Sequence, residues 1–168
     1  IQKGGGVHYW KAEQQGKALA VSVIIGGDPI LYLAAVSPLP EGIDELAFAG
    51  FLRGRRVPLA LGRTKVTAVP ADAEIVLEGI VPPDERLPEG PFGESHGYMH
   101  PRQFNPFMDV TAVTHRKDAI YVSWLSQLTP SESSVIRKIG YDRLMLVHLR
   151  DECRVQSVLR VEMHEPLT

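Results

Sequence analysis

Short runs of β-branched and apolar residues recur along this chain between glycine and proline punctuation, and that rhythm admits few architectures. "LAVSVII" (19–25), "TKVTAVP" (64–70), "AEIVLEGIV" (73–81), "MDVTAVTHR" (108–116), "DAIYVSWLS" (118–126) and "VQSVLRVEMH" (155–164) each read as a strand. They alternate or cluster β-formers over short lengths and are bounded by turn residues. Helical patterns interrupt them. Asp28 and Pro29 open one as N-cap and first helical residue, and Pro38 and Pro40 close it. Asp44 caps a second, which Gly54 stops. The longest runs from Ser131 to Glu152 and is interrupted at Gly140. Strands at this spacing with helices inserted predict a mainly β, α+β fold, a barrel or a sandwich.

Bulk properties narrow the function classes. At 168 residues the chain is the size of a single domain that can bury a real core. A net charge of -2 gives no basic footprint for nucleic acid or an anionic membrane surface. No apolar run reaches the roughly 18 residues of a membrane span, and no signal peptide is visible. One cysteine, Cys153, cannot form an internal disulfide, so a reducing cytoplasm is the default expectation. The chain opens on Ile1 and closes on "VEMHEPLT", which reads as an internal piece of a larger protein.

The segment "PEGPFGESHG" (88–97) concentrates the chemistry. Glu89 and Glu94 flank a Gly-Pro-Phe-Gly turn, with Phe92 between them. Glycine lets the backbone turn tightly, proline fixes one dihedral, and Phe92 can cover a carboxyl. Cover of that kind disfavours the charged form and suits a carboxyl to proton transfer. Two solvated loop charges, or the paired carboxylates of a glycosidase, fit the spacing equally well.

Other candidates carry less. His96 and His100 have the spacing of a helical metal pair, but Gly97 and Pro101 argue against a helix. His115 reads as a rim residue. "QKGGG" (2–6) resembles a phosphate-cradling loop without a P-loop's ending. "RGRR" (53–56) suits the C-terminus of the preceding helix. Cys153 has no Cys or His partner at recognisable spacing.

"ADAEIVLEG", "PEGPFGESHGY" and "VTAVTHRKDAIYVS", preceded by "VSVIIGGDPILYLAAVSPLPEGIDELAFAGFLRG", resemble the central region of the UbiD-type decarboxylases, which use prenylated FMN. The resemblance covers nearly the whole chain. It implies a split β-barrel of the flavin-reductase type, a homo-oligomer, and an aromatic or α,β-unsaturated carboxylic acid as substrate. Glu89 and Glu94 match the two catalytic glutamates, and Glu94 the one that returns a proton to carbon after CO2 leaves. Glu45 matches a glutamate that helps hold a divalent metal (Mn2+ or Mg2+) under the flavin phosphate. Ser37 and Pro38 fall where the family's chain passes the flavin. Gln2 stands at the position of a metal-ligating histidine, where an amide oxygen suits a hard cation such as Mg2+ or K+. The family's arginine between the glutamates, and an asparagine metal ligand, fall upstream of Ile1. The resemblance therefore implies a central piece, inactive in isolation, of a reversible carboxy-lyase. The reading from a different class is a non-catalytic flavin-binding or assembly module.

Overall fold

The computed structural model describes residues 4–40, 42–64, 66–94, 97–128 and 130–162. The fold is α+β, and the chain divides into two compact units.

The first unit comprises Ile1–Asp28, Pro58–Phe92 and His100–Ser123. Its centre is a three-stranded antiparallel sheet in which β4 (Ile75–Val81) lies between β1 (Leu19–Ile25) and β9 (Asp109–His115). Ile25 stands opposite Ile75 on one side, and Ile75 opposite His115 on the other. A register shift between Glu78 and Gly79 bends the β4–β9 ladder. Two smaller ladders join β2 (Leu59–Leu61) to β3 (Ala68–Pro70) and β5 (Leu87–Glu89) to β8 (Gln103–Asn105). A third pairs β6 (Phe92–Gly93) with β7 (Met99–His100), of which Phe92 and His100 belong to this unit and Gly93 and Met99 to the second. Among the described residues these sheets do not close into a barrel. Tyr9, Val69 and Val76 are the buried hydrophobic residues of this unit.

The second unit comprises Pro29–Val57, Gly93–Met99 and Trp124–Thr168. Here α2 (Pro29–Val36) packs against both α3 (Glu45–Arg53) and α4 (Glu132–Val147), and a π-helical turn, His148–Glu152, extends α4. The predicted caps of α3 hold. Asp44 accepts from the Ala47 N–H at 2.8 Å, and Gly54 ends α3 at φ 74°. Ser131 and Ser134 form a reciprocal capping box at the start of α4.

The strand-rich expectation needs correction in four places, and together they make the protein more helical than mainly β. Residues Gly5–Glu13 form a helix, α1, that their glycine-rich start conceals. It is held by tertiary contacts: Tyr9 is buried, and its hydroxyl accepts from Arg86 Nη1 at 2.6 Å. The segment "DAIYVSWLS" is not a strand. Its amides are taken by carboxylates instead, Ile120 N–H by Glu74 at 3.1 Å and Leu125 N–H by Glu132 at 2.8 Å. The described part of "VQSVLRVEMH" is not a strand either, since side chains fold it back: Arg150 Nε donates to the Val158 carbonyl at 2.7 Å. Finally, Gly140 does not interrupt α4. A Cβ there would lie 3.3 Å from Ser37 Oγ, so the glycine permits close approach of α2.

Candidate active site

The turn that carries the two glutamates is braced from several directions. Glu89 is the last residue of β5, directly opposite Gln103 of β8. Its carboxylate is exposed and accepts from Asn105 Nδ2 at 2.6 Å. Gly90 follows at φ 84°, joined to Pro91 by a cis peptide bond. A Cβ at Gly90 would make only ordinary contact with the Phe92 ring and the Pro101 carbonyl, both at 3.4 Å, so it is the backbone angle that calls for glycine. Arg102 Nε donates to the Gly90 carbonyl at 3.3 Å. The Phe92 ring stacks on His100 with centroids 4.9 Å apart and planes 16° off parallel. Phe92 nonetheless remains 39% exposed, less cover than its place between two carboxyls suggests.

Glu94 is half-buried. Its N–H donates to the Tyr98 carbonyl at 2.8 Å, and its carbonyl accepts from Gly97 N–H at 3.0 Å, so a tight loop fixes its backbone. Glu89 belongs to the first unit and Glu94 to the second.

The remaining predicted residues lie in the helical unit or outside the description. Ser37 and Pro38, both half-buried, follow α2. The Ser37 hydroxyl donates to the Leu33 carbonyl at 2.7 Å, which leaves its oxygen as an acceptor, and Pro38 has no N–H. An acceptor beside an apolar ring fits the ring N–H or ribityl hydroxyls of a flavin. It does not fit a phosphate, which needs donors or cations. Glu45 is exposed in the first turn of α3. Gln2 and His96 lie outside the described residues. Among the described residues no three His, Cys, Asp or Glu side chains group to hold a metal.

The less specific candidates resolve simply. Residues 97–100 are not helical. His115 is exposed, its Nδ1 donating to the Arg116 carbonyl at 2.7 Å, and Arg53 lies in the last turn of α3. The glycines of "QKGGG" that are described lead into α1, with Gly4 as N-cap. Cys153 has a neighbour that its spacing does not announce. The π-helical turn brings Cys153 Sγ to 3.5 Å from His148 Nε2, whose Nδ1 lies 2.9 Å from Glu152. A five-residue separation on that turn is not a spacing that signals a partner in sequence.

Sequence reasoning also missed two polar arrangements, one part-buried and one buried. In the first, Tyr9, Glu13 and Arg86 join α1 to the turn ahead of β5. Arg86 donates to Glu13 at 2.7 Å and to the Tyr9 hydroxyl at 2.6 Å, and Asp84 N–H adds a bond to Glu13 at 3.0 Å. The Tyr9 hydroxyl foremost, then Arg86, lowers the Glu13 carboxyl to about 2. In the second, the Glu78 carboxylate is 2% exposed and accepts from the Thr64 hydroxyl and from the amides of Arg63 and Thr64. No periodicity announces either arrangement, because the partners lie far apart in sequence.

The helical unit also holds a cavity of about 670 Å³ between α2, α4 and residues 124–128 and 130–131, lined chiefly by Ile30, Leu33, Trp124, Val135 and Ile139. Tyr32 meets Trp124 edge to face at 5.4 Å. None of the described predicted site residues is among the residues that line this space.

Residues 1–128 match the family described as 3-octaprenyl-4-hydroxybenzoate carboxy-lyase Rift-related domain, UbiD. An uncharacterized protein of Aquifex aeolicus is 44% identical over 137 residues, which cover 81% of this chain and 28% of that protein. Among solved structures, the chain is similar to an evolved dimeric form of the UbiD-class enzyme HmfF from Pelotomaculum thermopropionicum in complex with prFMN. Identity there is 33% and the TM-score 0.84, over 98% of this chain and 37% of that one. It is also similar to the apo 3,4-dihydroxybenzoic acid decarboxylase AroY of Klebsiella pneumoniae, at 29% identity and TM-score 0.74, over 90% of this chain and 33% of that one. The chain thus spans about a third of the length of these proteins or less. No helix among the described residues is long and apolar enough to cross a membrane.

Proposed function

The chain belongs to the UbiD family, and from that premise we propose that it forms the central part of a cytoplasmic, homo-oligomeric carboxy-lyase. Its substrates are aromatic or α,β-unsaturated carboxylic acids, and its small sheets form part of a split barrel of the flavin-reductase type. The observation that carries this reading is the braced turn: Glu89 held by Asn105, Phe92 stacked on His100, and Glu94 anchored through its backbone.

A prenylated flavin, when bound, supplies the electron sink that lets a carbon–carbon bond to CO2 break. Ser37, Pro38 and Gln2 are the residues of this chain that would hold it, Ser37 through an acceptor oxygen and Pro38 through an apolar ring. Glu94 holds the proton that goes to the carbon left by CO2, and its half-buried position limits competition from water. Glu89 keeps a second carboxylate beside the reacting acid and exchanges protons with solvent. Glu45 and Gln2 are the chain's contributions to a metal, either Mn2+ or Mg2+, with K+ as the further hard cation. The described residues do not complete that site, so no chemical step is assigned to it.

The test is reconstitution of the full-length protein with prenylated FMN and, separately, with FMN. CO2 release is then measured from 3,4-dihydroxybenzoate and from cinnamate-like and hydroxybenzoate-like acids. Release with the prenylated cofactor only is the expected result. Flavin binding without turnover on any acid, and without carboxylation in bicarbonate, returns the protein to a non-catalytic flavin-binding module.

A further inference from the structure

We propose that Asn105 is a positioning residue of the candidate site, its side-chain amide fixing the direction in which the Glu89 carboxylate points. This rests on the reading of Glu89 as a site residue. In the β5–β8 ladder Leu87 faces Asn105 and Glu89 faces Gln103, so Asn105 and Glu89 are diagonal neighbours on one face. Diagonal pairs lie within reach of longer side chains, and here Asn105 Nδ2 donates to Glu89 Oε2 at 2.6 Å.

The rest of the turn is already determined. The ladder sets the Glu89 backbone, Arg102 holds the Gly90 carbonyl, and His100 holds the Phe92 ring. The remaining freedom of Glu89 is in its own side-chain torsions, and an exposed glutamate left alone samples several rotamers. An exposed hydrogen bond adds little to stability because water replaces it well. Its consequence is therefore orientation. With Oε2 taken by Asn105, Oε1 is the oxygen presented to the substrate or to a partner group. Asparagine supplies this where lysine would not, since a short planar amide holds one direction while a lysine ammonium on a long stem does not.

The experiment compares crystal structures, thermal midpoints and turnover of the full-length protein and three variants: Asn105→Ala, Asn105→Asp and Asn105→Gln. In the unmutated protein Glu89 occupies one conformer. In Asn105→Ala and Asn105→Asp it leaves that position or splits between conformers, with the thermal midpoint unchanged. Asn105→Gln, which keeps the donor, retains a single conformer. Turnover falls about 10- to 100-fold in the first two variants with KM unchanged, the size typical of lost outer orienting partners. A single unmoved Glu89 conformer in Asn105→Ala overturns the proposal, as does a fall in thermal midpoint that accounts for the lost activity. If the full-length protein has no carboxy-lyase turnover, the functional reading fails, and the conformer comparison still decides the role of Asn105.

Discussion

The Glu78 carboxylate, buried on the central strand, accepts a hydrogen bond from the Thr64 amide at 3.0 Å and a second from the Thr64 hydroxyl. It thereby ties the loop between β2 and β3 to the middle of the sheet. Arg63 N–H adds a third donor, and a Cβ on Gly62 would collide with the carboxylate. The Thr64 hydroxyl chiefly, opposed by burial, holds the Glu78 carboxyl below its ordinary value.

Glu78→Gln keeps the shape but turns an NH2 group toward backbone N–H donors, so a buried donor loses its acceptor. The thermal midpoint is expected to fall on the order of 5 °C. Because the folded carboxyl titrates below its unfolded value, its stabilisation is present above the ordinary glutamate range and is lost as pH falls through the lowered value. A Glu78→Gln variant as stable as the parent at neutral pH would show that the loop does not depend on this carboxylate.

The Tyr9–Glu13–Arg86 cluster gives a second pH dependence with a defined window. Glu13 drops from 4.5 to about 2 on folding, so it binds fewer protons when folded than when unfolded. Its contribution is fully present above 4.5 and disappears as pH falls toward about 2. In scans of thermal midpoint against pH, the parent and Glu13→Gln should differ by a constant amount above that window. The two curves should converge within it. Curves that stay parallel down to the acid end would mean that the carboxylate charge contributes nothing.

Gly140 makes room for α2, with Ser37 Oγ 3.3 Å and Val36 Cγ2 3.5 Å from where a Cβ would sit. Gly140→Leu should therefore destabilise the helical unit by roughly 1–3 kcal/mol, despite leucine's better helix propensity. Denaturant unfolding of the two proteins checks this. A gain in stability would show that α2 and α4 are not packed this closely.

For the metal, the chain offers Glu45 exposed on the first turn of α3, without a described grouping of ligands around it. Calorimetry of the 168-residue chain with Mn2+ or Mg2+ should give affinity of about millimolar or weaker. Tight one-to-one binding would contradict that.

What could be read from the sequence were features whose causes are local. Asp44 and Gly54 end their helix by short-range bonding, and "AEIVLEGIV" forms a strand because its β-branched run is bounded by turns. "IYVSW" has the same local signal yet runs as coil, because carboxylates of Glu74 and Glu132 take amides of this stretch and its flank in place of a neighbouring strand. The helix at 5–13 was illegible for the converse reason, since Arg86, far along the chain, holds it through Tyr9 and Glu13. The same holds at the candidate site. The turn glycines announce Glu89 and Glu94, but the bond from Asn105 depends on ladder register and cannot be seen until β5 and β8 are paired.

The central claim is that Glu94 delivers the proton that replaces CO2. The most direct measurement is Glu94→Gln in the full-length protein reconstituted with prenylated FMN, read for CO2 release and for flavin retention by absorbance. The substitution removes the transferable proton and keeps the size, so flavin binding should remain nearly intact while turnover falls by about 100-fold or more. A Glu94→Gln enzyme that releases CO2 at the parent rate would contradict the assignment, and the acid would have to be sought elsewhere.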